Sequence, residues 1–69
     1  MRRQSVSSSN IAEVGYDADR RILEVLFLNG GLYQYFDVPE VVHRAFLSAG
    51  SHGKYLNEQI KGRYRYARV

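Results

Sequence analysis

Hydrophobic and polar positions between residues 11 and 36 alternate with a period of two, which is typical of half-buried β-strands. Strands are predicted over 11–16, 21–28 and 32–36. The second is the clearest, because Leu23, Val25 and Phe27 give it one unbroken apolar face. Residues 17–20, Asp-Ala-Asp-Arg, supply turn chemistry between the first two strands. The pattern therefore predicts a three-stranded antiparallel meander.

The connection between the second and third strands is predicted to be a tight hairpin. Asn29-Gly30 between two apolar runs favours a two-residue type I′ turn, in which both central residues have positive φ. Such a turn places Tyr33 and Tyr35 on the face away from the core, beside Leu26 and Glu24. The core face would then be completed by Leu32, Gln34 and Phe36. A three-residue loop, 29–31, is the alternative, and it would bury both tyrosines.

Two helices are predicted to follow the meander, separated by Gly50. Asp37 as N-cap with Glu40 three residues later resembles a capping box. The apolar stripe of this first helix is formed by Val41, Val42, Ala45, Phe46 and Ala49. Ser51 is predicted to cap the second helix, which ends at Gly62. One side of that helix carries Tyr55, Leu56, Gln59 and Ile60.

The two ends of the chain differ in pattern. Residues 1–7 are rich in Arg and Ser and are predicted to form a disordered tail. Residues 63–68 alternate Arg and Tyr, which is typical of a half-exposed edge strand. The whole chain, 1–69, is therefore predicted to be one α+β domain. Its three-stranded antiparallel meander packs against two short helices, with a short C-terminal edge strand.

Size and composition narrow the classes of function. A 69-residue domain buries too little surface for a deep enclosed active site. The absence of cysteine removes disulfides, thiolate zinc sites and cysteine nucleophiles, and it favours a cytoplasmic location. The longest apolar run, 25–28, is four residues and too short to cross a bilayer. We therefore expect a non-membrane protein that acts through its surface.

Few side chains are suited to catalysis or to metal binding. His43 and His52 have no acid at metal-ligand spacing, and Ser51 lacks the glycines of a nucleophile elbow. We expect no catalytic residue, no metal and no cofactor. A phosphate site at the start of the second helix is a weaker hypothesis, because glycines there allow close approach. Its residues would be Ser51, Gly53 and Asn57.

The positive charge of the chain is concentrated near its C-terminus. Residues 54–68 hold five basic residues and one acid, a charge of +4, whereas the residues before them sum to −1. Tyrosines are interleaved with these cations, and arginine beside an exposed aromatic ring binds phosphates and stacks on unpaired bases. The candidate RNA-binding residues are Tyr33, Tyr35, Lys54, Lys61, Arg63, Tyr64, Arg65 and Arg68. Packing of the tyrosines against the sheet is the structural alternative.

An ordered set of short motifs carries a resemblance to a known family. The motifs are S-S-N-I…V-G-Y-D at 8–17, L-x-V-x-F-x-N-G at 23–30, Y-x-Y at 33–35, V-P at 38–39, S-x-G-x-Y-x-N-x-x-I at 51–60 and Y-x-Y at 64–66. Together they resemble the KTSC domain, a short module found at the C-terminus of some lysyl-tRNA synthetases and as a separate bacterial protein. The resemblance implies that Tyr33, Tyr35, Gly53, Tyr55 and Asn57 are hallmark positions. It also implies a role with RNA, which here would act in trans.

The sequence thus favours a small non-catalytic binding module whose partner is RNA, with tRNA as one candidate, or a ribonucleoprotein. The alternative is a protein-interaction module that self-associates through an exposed sheet edge or through the tyrosine face. A hydrolytic or nucleolytic enzyme is the third hypothesis.

Overall fold

The structure, a computed structural model, describes residues 2–69. Its centre is a five-stranded antiparallel sheet whose strands lie side by side in chain order. The strands are β1 (Arg3–Ser5), β2 (Ile11–Asp17), β3 (Ile22–Phe27), β4 (Leu32–Tyr35) and β5 (Tyr66–Arg68). The helices are α1 (Glu40–Ser48) and α2 (His52–Tyr55), and α2 continues as a π-helical turn over Leu56–Ile60. The predicted α+β class is confirmed, with one strand more than predicted.

The additional strand is β1, which lies in the segment predicted to be a disordered tail. Met1 of that segment is outside the described residues, but Arg3–Ser5 pair with β2, so the prediction was wrong there. Arg3 donates from Nε to Glu13 at 3.1 Å and from Nη1 to Glu24 at 3.2 Å. Gln34 donates to the other oxygen of Glu24 at 2.9 Å. This polar network ties β1, β3 and β4 together across the outer face of the sheet, so β1 needs no apolar side chain.

The β3–β4 hairpin has a three-residue loop, 28–30, and the predicted two-residue turn was wrong. Only Gly30 in this loop has positive φ, +94°, whereas a type I′ turn needs a second such residue. The Gly30 N–H donates to the carbonyl of Phe27, and the Phe27 N–H donates to that of Gly31. Leu23 therefore pairs with Tyr35, and Val25 pairs with Tyr33. Both tyrosines lie on the inner face, as the alternative loop length predicted, although the loop begins one residue earlier.

The helices cover the inner face of the sheet and form the core with it. Phe46 is the one buried residue of α1, and Leu56 and Ile60 of the π-helical turn are buried beside it. Tyr16 of β2 stacks on His43 of α1 with ring centroids 4.6 Å apart. The core consists of Ile11, Val14, Leu23, Val25, Tyr35, Val38, Phe46, Leu56 and Ile60. The predicted core position Val25 is confirmed, whereas Phe27 is half-buried.

The start and the stripe of α1 differ from the prediction. Pro39 is the N-cap residue and no side chain caps the helix. Asp37, the predicted cap, lies two residues before Pro39, where it has φ of +60° and forms an ion pair with Arg65. Val41, predicted to lie beside the apolar stripe and add to it, is 71% exposed. Phe46 is therefore the residue through which the stripe of α1 enters the core.

The second helix begins and ends as predicted. Ser51 Oγ accepts a hydrogen bond from the N–H of Lys54, which confirms it as the N-cap residue. The Lys61 N–H donates to the carbonyl of Leu56, five residues back, as a π-helical turn requires. Gly62, with φ of +81°, lets the chain leave the turn. Within residues 2–69, no helix is long and apolar enough to cross a membrane.

Candidate functional site

One end of the inner face is left uncovered by the helices and forms a groove of about 760 Å³. The β3–β4 loop bounds it on one side, and residues 61–62, after the π-helical turn, bound it on the other. This volume is in the range of small-ligand sites in proteins. We call it the tyrosine groove; it is lined by Ser9, Asn10, Phe27, Leu28, Asn29, Gly31, Tyr33, Tyr35, Lys61, Gly62, Tyr66 and Arg68.

Aromatic rings in mutual contact make up the apolar part of the tyrosine groove. The ring centroid of Tyr66 lies 5.9 Å from that of Tyr33 and 5.8 Å from that of Tyr35. Phe27 meets Tyr33 edge to face at 5.5 Å. Tyr35 is only 2% exposed, whereas Tyr66 is 62% exposed. Tyr66 is therefore the ring most accessible to a ligand, and Tyr35 supports it from the core.

The same packing affects the titration of Tyr35. Burial raises the pKa of the Tyr35 phenol, and the nearby Tyr33 and Tyr66 phenols raise it further. The neutral phenol is thus the form that the folded protein favours.

The charged side chains of the tyrosine groove are both cations. Arg68 holds its guanidinium carbon 5.8 Å from the centroid of the Tyr33 ring. Lys61 lines the groove from the end of the π-helical turn. None of the lining residues is an aspartate or a glutamate. The groove therefore attracts anions, and its rings offer stacking surface next to them.

Two asparagines complete the polar part of the groove. Asn29 Oδ1 accepts from the Gly31 N–H at 3.0 Å, and Asn10 Oδ1 accepts from the Ser8 hydroxyl at 3.1 Å. Asn10 also lies against Gly53, where an added Cβ would be 2.8 Å from its Oδ1. A larger residue at position 53 would thus require the Asn10 side-chain amide to shift. Gly53 acts as a packing residue for the groove.

The structure divides the predicted RNA-binding residues between two adjoining surfaces. Tyr33, Tyr35, Lys61 and Arg68 lie in the tyrosine groove. A shallower depression next to it has a volume of about 570 Å³ and shares Gly62 and Tyr66 with the groove. Its other lining residues are Phe36, Arg63, Tyr64 and Arg65. Lys54 is exposed on α2 and lines neither surface.

The two arginines of the shallower depression already have partners within the chain. Arg65 pairs with Asp37 at 3.3 Å, and its guanidinium carbon is 5.7 Å from the centroid of the Phe36 ring. Arg63 donates from Nε to the carbonyl of Glu58 at 3.4 Å. Exposed pairs of this kind exchange readily with solvent and contribute little stability. These contacts therefore do little to hold either arginine in place.

The three residues of the predicted phosphate site do not form a cradle. Ser51 uses its Oγ to cap α2, and Gly53 packs against Asn10. Asn57 is exposed in the π-helical turn. Of the three, only Gly53 is connected to the tyrosine groove, and the connection is through Asn10.

Both histidines make contacts within the fold. His52 donates from Nδ1 to the carbonyl of Phe46 at 3.0 Å. Burial lowers the pKa of the His43 imidazole, which stacks on Tyr16; nearby Glu40 raises it and Arg44 lowers it further. No cluster of three or more metal-binding side chains occurs among residues 2–69. Neither histidine lies in the tyrosine groove.

Sequence reasoning missed several residues of the groove. Tyr66 was absent from the candidate RNA-binding residues, although the alternation of Arg and Tyr over residues 63–66 could have indicated it. Ser9, Asn10 and Asn29 lie in loops, where a polar side chain carries no periodic signal. Pairing of β5 with β4 and of β2 with β3 is what brings these distant segments together.

Comparison with known proteins adds a family to this geometry. The model of the KTSC domain matches residues 7–64. The chain is 43% identical to an uncharacterized protein of Stutzerimonas stutzeri over 70 aligned positions, covering 100% of this chain and 99% of that protein. It is also similar to a crystal structure of a KTSC domain protein from Yersinia pestis. That likeness has 46% identity and a TM-score of 0.96, and it covers 99% of this chain and 96% of that one.

A different kind of relative contains the domain as a small part. The chain is 34% identical to a lysine–tRNA ligase of Trichormus variabilis over 61 residues. The aligned segment is 88% of this chain but 11% of the ligase. A lysine–tRNA ligase of Nostoc punctiforme is 31% identical over the same share of each chain.

Proposed function

The chain belongs to the KTSC domain family, and we propose that its function is to bind unpaired RNA in the tyrosine groove. The observation that carries this proposal is the composition of the groove. An exposed ring, Tyr66, lies beside the cations Lys61 and Arg68 with no acid among the lining residues. Stacking surface next to positive charge is what proteins use to hold single-stranded nucleic acid.

Unpaired RNA fits this groove better than a duplex does. A base stacks only when its face is free, and the bases of an A-form helix are stacked on one another. Tyr66 presents one accessible ring, supported by Tyr35 and Tyr33 behind it. Lys61 and Arg68 can meet the phosphates on either side of a stacked base. The groove thus has the chemistry for one or a few nucleotides of a loop or an end.

The ligase relatives support RNA as the partner class. In the lysine–tRNA ligase of Trichormus variabilis, the segment similar to this chain is about a tenth of the protein. A module that contacts RNA would be useful to an enzyme whose substrate is tRNA. The present chain, carrying the same module, would bind an unpaired segment of tRNA or of another RNA in trans.

The charge contribution is tested by titrating labelled single-stranded RNA at several salt concentrations. Each phosphate contact changes the affinity by ~0.7 log units per tenfold change in salt. Lys61→Ala and Arg68→Ala should each lower the affinity and reduce the salt slope by about that amount. Lys54→Ala is the matched control, because it removes the same charge from outside the groove.

The stacking contribution is tested at position 66. Tyr66→Ala should weaken binding by ~1–3 kcal/mol, the range found when a stacking ring is removed. Tyr66→Phe keeps the ring and should bind RNA nearly as the wild type does. A thermal melt of each variant shows that the domain is still folded. Binding that is unaffected by Tyr66→Ala and by both cation variants would overturn the proposal.

Self-association through a sheet edge is less well supported by the structure. β1 and β5 are edge strands of three residues each, and both carry arginine. Short, charged edges are the features by which proteins discourage edge-to-edge pairing. Sedimentation of the protein without RNA distinguishes the two functions: a stable dimer that buries Tyr66 would favour the interaction module instead.

A further inference from the structure

The shallower depression beside the tyrosine groove has the same chemistry as the groove. Arg63 and Arg65 are its charged lining residues, and none of its lining residues is an aspartate or a glutamate. Its aromatic rings are those of Phe36, Tyr64 and Tyr66. Arginine beside aromatic rings is the combination that binds the phosphates next to stacked bases. The depression is therefore suited to the same kind of polyanion as the groove.

The two surfaces are continuous with each other. Both are lined by Gly62 and by Tyr66. A Cβ added at Gly62 would meet nothing within 4 Å, so no side chain blocks the way between them. Arg65 and Arg68 are three residues apart in an extended segment that pairs with β4, which separates their Cα atoms by ~10 Å. A strand of a few nucleotides that stacks on Tyr66 can therefore reach the cations of both surfaces.

One anion of the chain already occupies Arg65. The side chains of Arg65 and Asp37 form their ion pair at 80% and 75% exposure, so water screens it and its contribution is small. A carboxylate and an RNA phosphate are both acceptors for a guanidinium group. A phosphate in the depression would thus meet Arg65 in competition with Asp37.

We infer that the depression is a phosphate subsite of the RNA-binding surface. Arg63 and Arg65 there bind the backbone of nucleotides that follow the one stacked on Tyr66, and Asp37 competes with that backbone for Arg65. This inference rests on the proposed RNA-binding function. It extends the site beyond the tyrosine groove: a dinucleotide occupies the groove alone, whereas a longer strand fills the groove and the depression together.

The subsite is tested with a uridine dinucleotide and a uridine hexanucleotide, each titrated by NMR at several salt concentrations. In the double variant Arg63→Gln/Arg65→Gln, the salt slope of hexanucleotide binding should fall by ~1.4 log units per tenfold change in salt, the effect of two lost phosphate contacts. Arg20→Gln/Lys54→Gln is the matched control, because it removes the same charge from exposed residues that line neither surface. Dinucleotide binding should change no more in the arginine variant than in this control.

The competition with Asp37 predicts a variant that binds RNA more tightly. Asp37→Asn removes the carboxylate charge, and asparagine tolerates the positive φ of +60° at this position. The affinity for the hexanucleotide should rise by up to about fivefold, the value of an exposed ion pair. The affinity for the dinucleotide should stay as in the wild type. Asp19→Asn removes the same charge from the exposed β2–β3 turn and should change neither affinity.

The outcomes separate this inference from the proposed function. A reduced salt slope for the hexanucleotide in the arginine variant, with tighter binding in Asp37→Asn, supports the inference. Hexanucleotide binding that depends on Tyr66 but responds to the arginine variant no more than to its control overturns the subsite and leaves RNA binding in the groove intact. Equal losses for both oligomers in the arginine variant also overturn the subsite. An unchanged affinity in Asp37→Asn overturns the competition. Absence of binding of either oligomer to the wild type overturns the proposed function itself.

Discussion

The two ends of the inner sheet face are built from the same strands but are closed differently. At one end, Leu23 packs with Phe46 and Ile60, and all three side chains are 0% exposed. At the other end, Tyr33 and Phe27 are half-buried and face the tyrosine groove. The first end has aliphatic side chains against a helix, and the second has aromatic rings beside cations.

A chain of 69 residues buries only ~60% of the surface that it exposes when unfolded. Apolar area that stays exposed therefore lowers the stability of such a domain considerably. Tyrosines limit that cost, because their hydroxyls stay hydrated while their rings contact one another. The closed end therefore holds fully buried side chains, and the groove end keeps its aromatic rings open to solvent.

The largest expected effect compares two phenylalanines, one at each end. Phe46→Ala should cost ~3–5 kcal/mol, because it leaves a cavity in the closed core. Phe27→Ala should cost less than half as much, since water already reaches that side chain in the groove. Urea unfolding followed by circular dichroism measures both. Equal losses would show that the groove end is as important to the core as the helix-covered end.

The next largest effect is expected from substituting one of two glycines that have room for a side chain. An added Cβ at Gly30 or at Gly50 would meet nothing within 4 Å. Only Gly30 has positive φ, so Gly30→Ala should cost ~1–2 kcal/mol through backbone strain. Gly50→Ala should change the unfolding free energy by less than ~0.5 kcal/mol. A neutral Gly30→Ala would contradict the three-residue loop that turns Tyr33 towards the groove.

The smallest effect concerns Tyr35, which lies where the two ends meet. Burial raises its pKa above the ordinary value of 10.0, so the unfolded chain ionises this phenol first as the pH rises. The stability that the neutral phenol provides is complete below about pH 10 and is lost as the pH rises through the folded pKa. Between about pH 9 and pH 11, wild type should lose more unfolding free energy than Tyr35→Phe. Equal losses in the two proteins would contradict the burial of this phenol.

The elements that follow a hydrophobic period could be predicted from sequence. β2, β3 and β4 carry apolar residues on their inner face, so alternation in the sequence identifies them, and Ser51 with Gly62 delimits the second helix. β1 could not be found in this way. Its contacts are ion pairs of Arg3 with Glu13 and Glu24, which are distant in sequence and leave no local pattern.

Only some residues of the tyrosine groove could be predicted from the sequence in the same way. The basic C-terminal stretch indicated Lys61 and Arg68, because charge and tyrosine content can be read directly. The face of β4 could not be assigned, since Asn29-Gly30 fits turns of two or three residues and the difference depends on the φ of one residue. The loop asparagines enter the groove only through strand pairing, which no single-sequence pattern specifies.

NMR chemical-shift mapping tests most directly whether the tyrosine groove is the RNA-binding surface. Single-stranded RNA titrated into ¹⁵N-labelled protein should shift the backbone amides of Gly31 and Gly62 and the side-chain NH₂ groups of Asn10 and Asn29. The side-chain NH₂ of Gln34, held by Glu24 on the outer face, serves as the internal control and should not move. Shifts confined to Gln34 and β1, with the groove signals unchanged, would contradict the account.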